Sequence, residues 1–244
     1  MMGLILDDAA VFPPGNLPLS EAVAAHRLHR TRWYADLVGP LVVPAAALPA
    51  LAGAGPLDVA VVVPDAEGAA AALVAAPEGI RVVALEVTEA SVAALQAAIG
   101  EPAEVTVHLE VPRDDRRDAV IADLVGTTYL AKLRTGGVRA DLYPDEAELA
   151  ATVAALVEAG VPFKATAGLH HALRNTDPET GFEQHGFLNL LAATGTTDAA
   201  VLAVRDAREL PELPASSLLR SIGTCSITEP IDELTALGLL ELTR

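Results

Sequence analysis

Eight short apolar runs that alternate with helix-like stretches constrain the fold of this 244-residue chain more than any other feature. Most of the runs are continuously apolar, which is typical of parallel strands buried on both faces. The predicted strands are residues 3–8, 40–44, 57–64, 80–87, 104–111, 128–134, 161–168 and 219–226. Eight strands, each followed by a helix, predict a (β/α)8 (TIM) barrel, with an open doubly wound sheet as the alternative.

The stretches between the strands have helical periodicity, and the clearest of them covers residues 144–160. Pro144 stands at its start, acidic residues occupy its first turn and Gly160 closes it. The other predicted helices cover residues 19–38, 65–76, 88–99, 113–125 and 227–240. Glycine-rich GxGxxG and GxxxxGK[ST] segments do not follow the first strand, which weakens a nucleotide-binding interpretation.

Residues 169–218 form a longer connection than a normal strand–helix unit. We predict a polar loop over 169–185, a short helix over 186–195 and a second helix over 196–214. A strand is the alternative for the last segment, and residues 3–8 would then be an amino-terminal extension. Because long loops in compact domains are usually functional or disordered, the connection is a candidate lid. We predict one domain over residues 1–244.

The charge balance limits the classes of partner. The net charge of −17 leaves no basic stripe for nucleic acid, and it disfavours an anionic membrane surface. A small anionic substrate remains compatible with a local basic pocket. One cysteine, Cys225, cannot form an internal disulfide, and neither a signal peptide nor a membrane span is apparent. We expect a cytoplasmic protein, as a monomer or a homo-oligomer.

Polar residues cluster near the carboxyl ends of the predicted strands, where (β/α)8 barrels place their active sites. They are Asp7, Asp8, Glu86, His108, Glu110, Lys132, Arg134, Lys164, Thr166, His170, Thr224, Cys225 and Ser226. Alternation along a strand places Lys132 and Arg134 on one face. If Lys132 and Lys164 both point inward, each disfavours the charge of the other, and desolvation acts in the same direction. A neutral lysine is what imine formation with a carbonyl compound requires.

Four segments resemble deoxyribose-phosphate aldolases and related class I aldolases: LILDDAAVFPPGNLPLSEAVAAH (4–26), AKLRTGG (131–137), FKATAGLH (163–170) and SIGTCS (221–226). The resemblance covers about a third of the chain. It implies a carbon–carbon lyase in which Lys132 forms the Schiff base and Lys164 lowers its pKa. Asp7 or Asp8 would be an acid at the mouth. Leu133 and Arg134 depart from the family by replacing small residues, and Ala167 replaces a glycine of the phosphate-binding turn.

The leading hypothesis is therefore a lyase of the aldolase type that acts on a small carbonyl compound, with or without a phosphate group. The catalytic candidates are Lys132, Lys164, Glu110, Glu86, Asp7 and Asp8. The substrate-binding candidates are Arg134, Thr135, Gly136, Thr166, Gly168, His170, His171, Gly223, Thr224, Cys225 and Ser226. Arg134 and the turn 223–226 would hold an anion. We expect no cofactor and no metal ion.

Other interpretations remain open at this stage. Lys132 and Arg134 can instead form structural ion pairs with Glu110 and Glu86, and Cys225 can be a packing residue. His170 and His171 could form a metal site with His185, Glu86 or Glu110, although only one of the two would serve, because adjacent histidines in an extended chain point in opposite directions. The functional alternatives are a non-covalent isomerase, a metal-assisted enzyme, or a barrel without catalysis whose ionic interior stabilises it.

Overall fold

Eight parallel strands close into a barrel in the computed structural model, which describes residues 4–196, 198–214 and 217–240. The barrel strands are β1 (Ile5–Asp8), β2 (Val38–Pro44), β3 (Leu57–Val63), β4 (Ile80–Val87), β5 (Thr106–Glu110), β6 (Leu130–Arg134), β7 (Phe163–Thr166) and β10 (Leu219–Thr224). Each strand pairs with its neighbours in sequence, and β10 pairs with β1 to close the ring. The (β/α)8 prediction is confirmed, and every predicted strand lies within two residues of an observed one. Residue 3 of the first predicted strand lies outside the described residues.

Seven α-helices surround the barrel in the described part of the chain. They are α1 (Leu19–His29), α2 (Ala66–Ala75), α3 (Val92–Ile99), α4 (Arg117–Leu124), α5 (Glu146–Ala159), α6 (Phe187–Ala193) and α7 (Thr228–Ala236). Side-chain oxygens of Asp65, Ser91 and Asp145 cap α2, α3 and α5, and Gly160 ends α5 in the left-handed conformation. None of the described helices is long and apolar enough to cross a membrane.

The first and second strand–helix units differ from the prediction. The predicted helix 19–38 ends at His29, and a 3-10 turn over Ala35–Leu37 leads into β2, which begins at Val38. After β2 the chain forms a 3-10 helix over Ala45–Leu51 instead of an α-helix. Pro49 lies inside that segment and has no backbone N–H, which removes a hydrogen bond that an α-helix would need.

The connection between β7 and β10 holds a small antiparallel hairpin, β8 (Asn175–Thr176) with β9 (Glu183–Gln184), followed by α6. The predicted helix over 196–214 is wrong, since the chain forms only 3-10 turns at Ala199–Ala203 and Ala207–Glu209. Asn189 of α6 explains part of the difference. Its side-chain amide donates to the carbonyls of Val201 and Val204 at 2.8 Å each, so that these groups bind across the connection.

The connection is fixed to the side of the barrel near the start of α5. His185 Nε2 lies 2.8 Å from the carbonyl oxygen of Pro144, and Arg174 Nη2 lies 2.6 Å from Glu146 Oε1. The rings of Tyr143 and Phe182 pack with their centroids 5.6 Å apart. Closure of this connection over the barrel mouth, as a lid, stays a prediction.

The two faces of the barrel strands meet different surroundings. Outward-facing apolar residues pack under the helices and form the main hydrophobic core. Inside the barrel, Val42, Ala60 and Ala84 form a separate small apolar cluster that Phe12 and Val62 extend. The remaining interior is charged, whereas bulky branched apolar side chains fill the interior of most (β/α)8 barrels. The barrel interior is therefore the candidate functional site.

Candidate active site

Lys164 lies at the centre of an ionic network inside the barrel. Its Nζ is 2.6 Å from Asp7 Oδ2 and 2.5 Å from Glu86 Oε1, and its side chain is only 1% exposed. Ser221 Oγ donates a hydrogen bond of 2.7 Å to the same Asp7 oxygen. The four side chains come from β7, β1, β4 and β10, so the closed barrel brings together residues that are far apart in sequence.

Lys132 continues the network toward the carboxyl ends of the strands. Its Nζ lies 3.0 Å from Glu110 Oε2 and 3.4 Å from Glu86 Oε2. Glu110 also accepts hydrogen bonds from Arg134, at 3.0 Å from Nε and 3.5 Å from Nη2. Glu86 therefore bridges the two lysines. We call the six residues Asp7, Glu86, Glu110, Lys132, Arg134 and Lys164 the ionic cluster.

The contacts between carboxylates and lysines determine which groups of the cluster are charged. Burial by itself raises the pKa of Glu86, but Lys164 and Lys132 outweigh it and lower that pKa to about 2. Burial likewise disfavours the charge of Lys164, yet Asp7 and Glu86 outweigh it and raise its pKa. The expectation that the charge of Lys164 is disfavoured is therefore wrong. The sequence showed the neighbouring lysine but did not show that two carboxylates contact Lys164.

The pKa values of Asp7 and Glu110 shift in opposite directions. Burial raises the pKa of Asp7, because the loss of water exceeds the attraction of Lys164. Burial has the same tendency at Glu110, but Lys132 and Arg134 overcome it and lower the pKa of Glu110. Glu86 and Glu110 are consequently carboxylates at neutral pH, and both lie beside the Lys132 amine.

A cavity of about 190 Å3 opens above the cluster at the carboxyl ends of the strands. Its wall includes the side chains of Lys132, Glu86 and Arg134. Lys164 and Asp7 are not part of the wall, since they lie deeper in the interior. A ligand in the cavity can therefore reach Lys132 but would meet Lys164 only through Glu86. This geometry separates the roles of two lysines that look alike in the sequence.

The substrate-binding candidates divide between the cavity wall and the supporting structure. Those on the wall are Arg134, Thr166, His170, Gly223 and Cys225. Thr135 is fully buried, and its hydroxyl donates to the carbonyl of Ala167 at 2.6 Å. Gly136 and Gly168 sit so close to the ring of Tyr143 that a Cβ on either would lie within 3 Å of it. These three residues shape the turns after β6 and β7.

Four further candidates point away from the cavity. Asp8 faces α1, where its Oδ2 lies 3.0 Å from His26 Nδ1. His171 pairs with Glu233 of α7 at 2.6 Å, which confirms that the adjacent histidines diverge. Thr224 and Ser226 bond to one another, and the hydroxyl of Ser226 accepts from the amide of Glu229 at 3.3 Å. Of the predicted acids Asp7 and Asp8, only Asp7 enters the barrel.

Cys225 and His170 meet on the wall, with Sγ and Nδ1 3.3 Å apart. Burial is the main reason why the pKa of the Cys225 thiol rises to about 11 and why the pKa of His170 falls. The pair is therefore a neutral thiol beside a neutral imidazole at pH 7. His185 lies elsewhere, against Arg174 and Pro144. Across residues 4–196, 198–214 and 217–240, no three His, Cys, Asp or Glu side chains are grouped to hold a metal ion.

His108 adds a titrating group to the interior. It pairs in register with Glu86, is 5% exposed, and its Nδ1 has no hydrogen-bond partner among the described residues. Burial, followed by repulsion from Lys164, lowers the pKa of His108 to about 3. The folded protein therefore keeps His108 neutral at pH values where the unfolded chain protonates it.

We expect His108 to make the protein acid-sensitive. Since its folded pKa lies below the unfolded value of 6.5, its stability contribution is complete above pH 6.5 and is lost as the pH falls toward 3. Linkage gives a loss of about 2–3 kcal/mol between roughly pH 7.5 and 4.5. Urea unfolding of His108→Gln should show a correspondingly shallower decline. At about pH 8, where His108 is neutral in both states, the comparison measures the cost of the substitution itself. If the free energies of unfolding of the parent protein and His108→Gln depend on pH in parallel, the acid sensitivity does not come from His108.

Ala167 adopts a left-handed backbone conformation with φ of 70° in the turn after β7. A side chain disfavours this conformation, and this is the position where the resembled family has glycine. Ala167→Gly is expected to raise the free energy of unfolding by about 0.5–1 kcal/mol, as measured by urea unfolding. The matched control is Ala165→Gly, at a fully buried position two residues earlier in β7, which should lower it by about 1 kcal/mol. Destabilisation by both changes would contradict backbone strain at Ala167.

The apolar part of the wall was missed by the sequence analysis. It consists of Ala9, Phe12, Pro13, Val42, Val62, Val138, Leu142 and Ala167, together with Gly137. Phe12 and Pro13 belong to the segment after β1, and Val138 and Leu142 to the segment after β6. Apolar side chains in loops that follow barrel strands are the sequence feature that could have identified these four residues as part of the site. Val42 and Val62 could not be distinguished from core residues, because inward and outward positions of these strands are equally apolar.

No family model, curated protein or solved structure matches this chain. The fold and the site nevertheless define a class: a (β/α)8 barrel with an ionic interior and a small cavity at the carboxyl ends of its strands. A lysine on β6 lies at the floor of that cavity, between two carboxylates.

Proposed function

We propose that the protein is a lyase of the class I aldolase type that forms an imine between Lys132 and a small carbonyl compound. The observation that carries the proposal is the position of Lys132. It is the one lysine of the ionic cluster on the cavity wall, where a ligand can reach its amine. The resemblance of residues 131–137 and 163–170 to class I aldolases points to the same lysine.

The basic residues of the whole chain give independent support. Of 16 Lys and Arg residues, only Lys132 and Lys164 are lysines, and both are buried inside the barrel. Arginine serves surface ion pairs throughout the chain. It cannot replace lysine as a nucleophile, because a guanidinium group does not lose its proton in proteins. The presence of lysine at these two positions alone therefore favours a role that requires an amine or a compact ammonium group.

The chemistry assigns a step to each group. Glu110 takes a proton from Lys132, and the free amine attacks the carbonyl carbon to give a carbinolamine. The carboxylic acid returns the proton to the hydroxyl group, water leaves and an iminium ion remains. Glu110, again a carboxylate, then removes the proton of a hydroxyl group on the β-carbon. The bond between the α- and β-carbons breaks, the β-carbon leaves as a carbonyl product, and the electron pair passes to the iminium ion, which becomes an enamine. Lys164 stays charged and holds Glu86 as a carboxylate.

Borohydride trapping tests the proposal. The protein is incubated with a panel of small aldehydes and ketones and reduced, and its intact mass is measured. Trypsin then locates the adduct, because modified lysine resists cleavage. Modification of Lys132 joins residues 118–134 in one peptide, whereas modification of Lys164 joins residues 140–174. We expect the 118–134 product, with reaction at the terminal amine as the measure of non-specific labelling.

A second candidate function is a non-covalent enzyme, such as an isomerase, in which Lys132 remains an ammonium group and stabilises a developing oxyanion. The carboxylates at 3.0 and 3.4 Å favour it, because they suit the charged form of the lysine. The same trapping experiment separates the two candidates. Absence of a lysine adduct across the whole panel would assign the site to the non-covalent class.

A further inference from the structure

We infer that the substrate carbonyl carries a short, uncharged apolar chain and no phosphate group. The inference rests on the proposed function and specifies its substrate class. It departs from the phosphate-binding turn that the aldolase resemblance implies, and three features of the cavity support it.

The first feature is the state of the cations on the wall. Among the described residues that line the cavity, the cationic ones are Lys132 and Arg134. Lys132 is committed to the carbonyl carbon in the proposed reaction. Arg134 directs its Nε and Nη2 at the carboxylate of Glu110, at 3.0 and 3.5 Å. A phosphate would have to displace Glu110 from Arg134 and leave a half-buried carboxylate without that partner, which is costly.

The second feature is the turn after β10, where an anion was expected to bind. The hydroxyl of Thr224 donates to the carbonyl of Ser226 and accepts from its amide, at 2.9 and 3.3 Å. The hydroxyl of Ser226 is occupied by the amide of Glu229, and Glu229 brings a carboxylate into the first turn of α7. The polar groups of this turn are thus bound to each other, beside a negative charge that repels phosphate.

The third feature is the apolar part of the cavity wall. Phe12, Val42 and Val62 form one side of it, and Val138 and Leu142 form another. The volume of about 190 Å3 is below the roughly 300–1,000 Å3 of sites for drug-sized ligands, which limits the substrate to a small molecule. The protein charge of −17 also slows the approach of an anionic substrate.

The test is the concentration dependence of trapping for a homologous series: acetaldehyde, propanal and butanal. Burial of each added methylene in the apolar wall should lower the half-saturating concentration about fourfold. Glyceraldehyde 3-phosphate, with the same three-carbon backbone as propanal, should need at least a tenfold higher concentration than propanal. Both are compared at about 1 M salt, where the screening length of about 3 Å removes long-range repulsion. Equal or tighter trapping of the phosphorylated aldehyde would overturn the inference, as would a flat series.

A wall variant locates the effect. Leu142→Ala should raise the half-saturating concentration of butanal severalfold and that of acetaldehyde much less, because the longer chain buries more apolar surface against the wall. The matched control is Leu28→Ala, at a half-exposed position on α1 away from the cavity. Thermal unfolding of both variants verifies that they are folded. An equal effect of Leu142→Ala on all three aldehydes would count against an apolar chain subsite.

Binding without chemistry separates this inference from the proposed function. Butyramide has a similar chain but forms no imine, so thermal unfolding with butyramide or with inorganic phosphate reports on the cavity alone. We expect butyramide, and not phosphate at matched ionic strength, to raise the melting temperature. This result without any trapped adduct would refute the imine and retain the apolar site. Stabilisation by phosphate, or none by butyramide, would refute the apolar site whatever the trapping shows.

Discussion

Lys164→Met is expected to lower the free energy of unfolding by about 3–5 kcal/mol, the usual cost of removing one partner from a buried ion pair. The lysine is 1% exposed, and its loss leaves Asp7 and part of Glu86 without a counter-charge. The loss should be smaller in acid, because burial already raises the pKa of Asp7 and the unpaired carboxyl can take up a proton. Urea unfolding at about pH 8 and pH 5 measures both effects.

Two comparisons make this prediction specific. Asp7→Asn combined with Lys164→Met should recover part of the lost stability, since the amide keeps a hydrogen-bond acceptor for Ser221 without the buried charge. Arg81→Met removes an exposed ion pair with Asp58 and should leave the urea midpoint nearly unchanged. If Lys164→Met is as stable as the parent protein, the ionic interior does not stabilise the barrel, and the interpretation of a non-catalytic structural network fails with it.

Lys132→Met and Lys132→Arg are both expected to abolish the borohydride-trapped adduct. Methionine has no amine, and the guanidinium of arginine keeps its proton, so neither side chain can attack a carbonyl. Lys132→Arg retains a positive charge beside Glu110 and Glu86 and should remain folded. Lys132→Met should cost about 1–3 kcal/mol, because Arg134 still pairs with Glu110 and Lys164 still pairs with Glu86.

The position of any remaining adduct decides the assignment. Trypsin does not cleave after methionine, so Lys132→Met releases a 118–134 peptide without any adduct. The informative result in both variants is therefore the mass of the peptide 140–174. An adduct at Lys164 in the parent protein, retained in Lys132→Arg, would place the imine on the deeper lysine and contradict the role given to the cavity wall. Trapping in Leu28→Ala, which leaves the cluster intact, controls for general effects of substitution.

Much of the barrel was predictable because its signals are local. Continuous apolar runs marked the eight strands, and Asp145, Pro144 and Gly160 marked the ends of α5. The helix predicted over 196–214 was wrong for a reason outside that segment, since Asn189 of α6 binds two of its carbonyl groups. The hairpin of β8 and β9 was also missed, because strands of two residues carry no periodic signal.

The candidate site was also predictable only where its signals are local. Strand alternation correctly placed Lys132 on the face of Arg134 and indicated that only one of His170 and His171 would face the barrel mouth. It could not select Asp7 over Asp8, because both are acidic and the choice depends on which one faces α1. It also gave no sign of the two carboxylates beside Lys164, and the prediction that the charge of this lysine is disfavoured was therefore wrong.

The sequence by itself determined the number and order of the barrel strands, the helices that separate most of them, and the two lysines on neighbouring strands. These features depend on side-chain periodicity and on residues adjacent in the chain. Only the tertiary structure decided that Lys164 meets Asp7, 157 residues away, and that Glu86, 78 residues away, bridges both lysines. Barrel closure and strand register set those contacts, and the same contacts set the charges. The apolar wall also required the structure, because it joins loops that only the closed barrel brings to one opening.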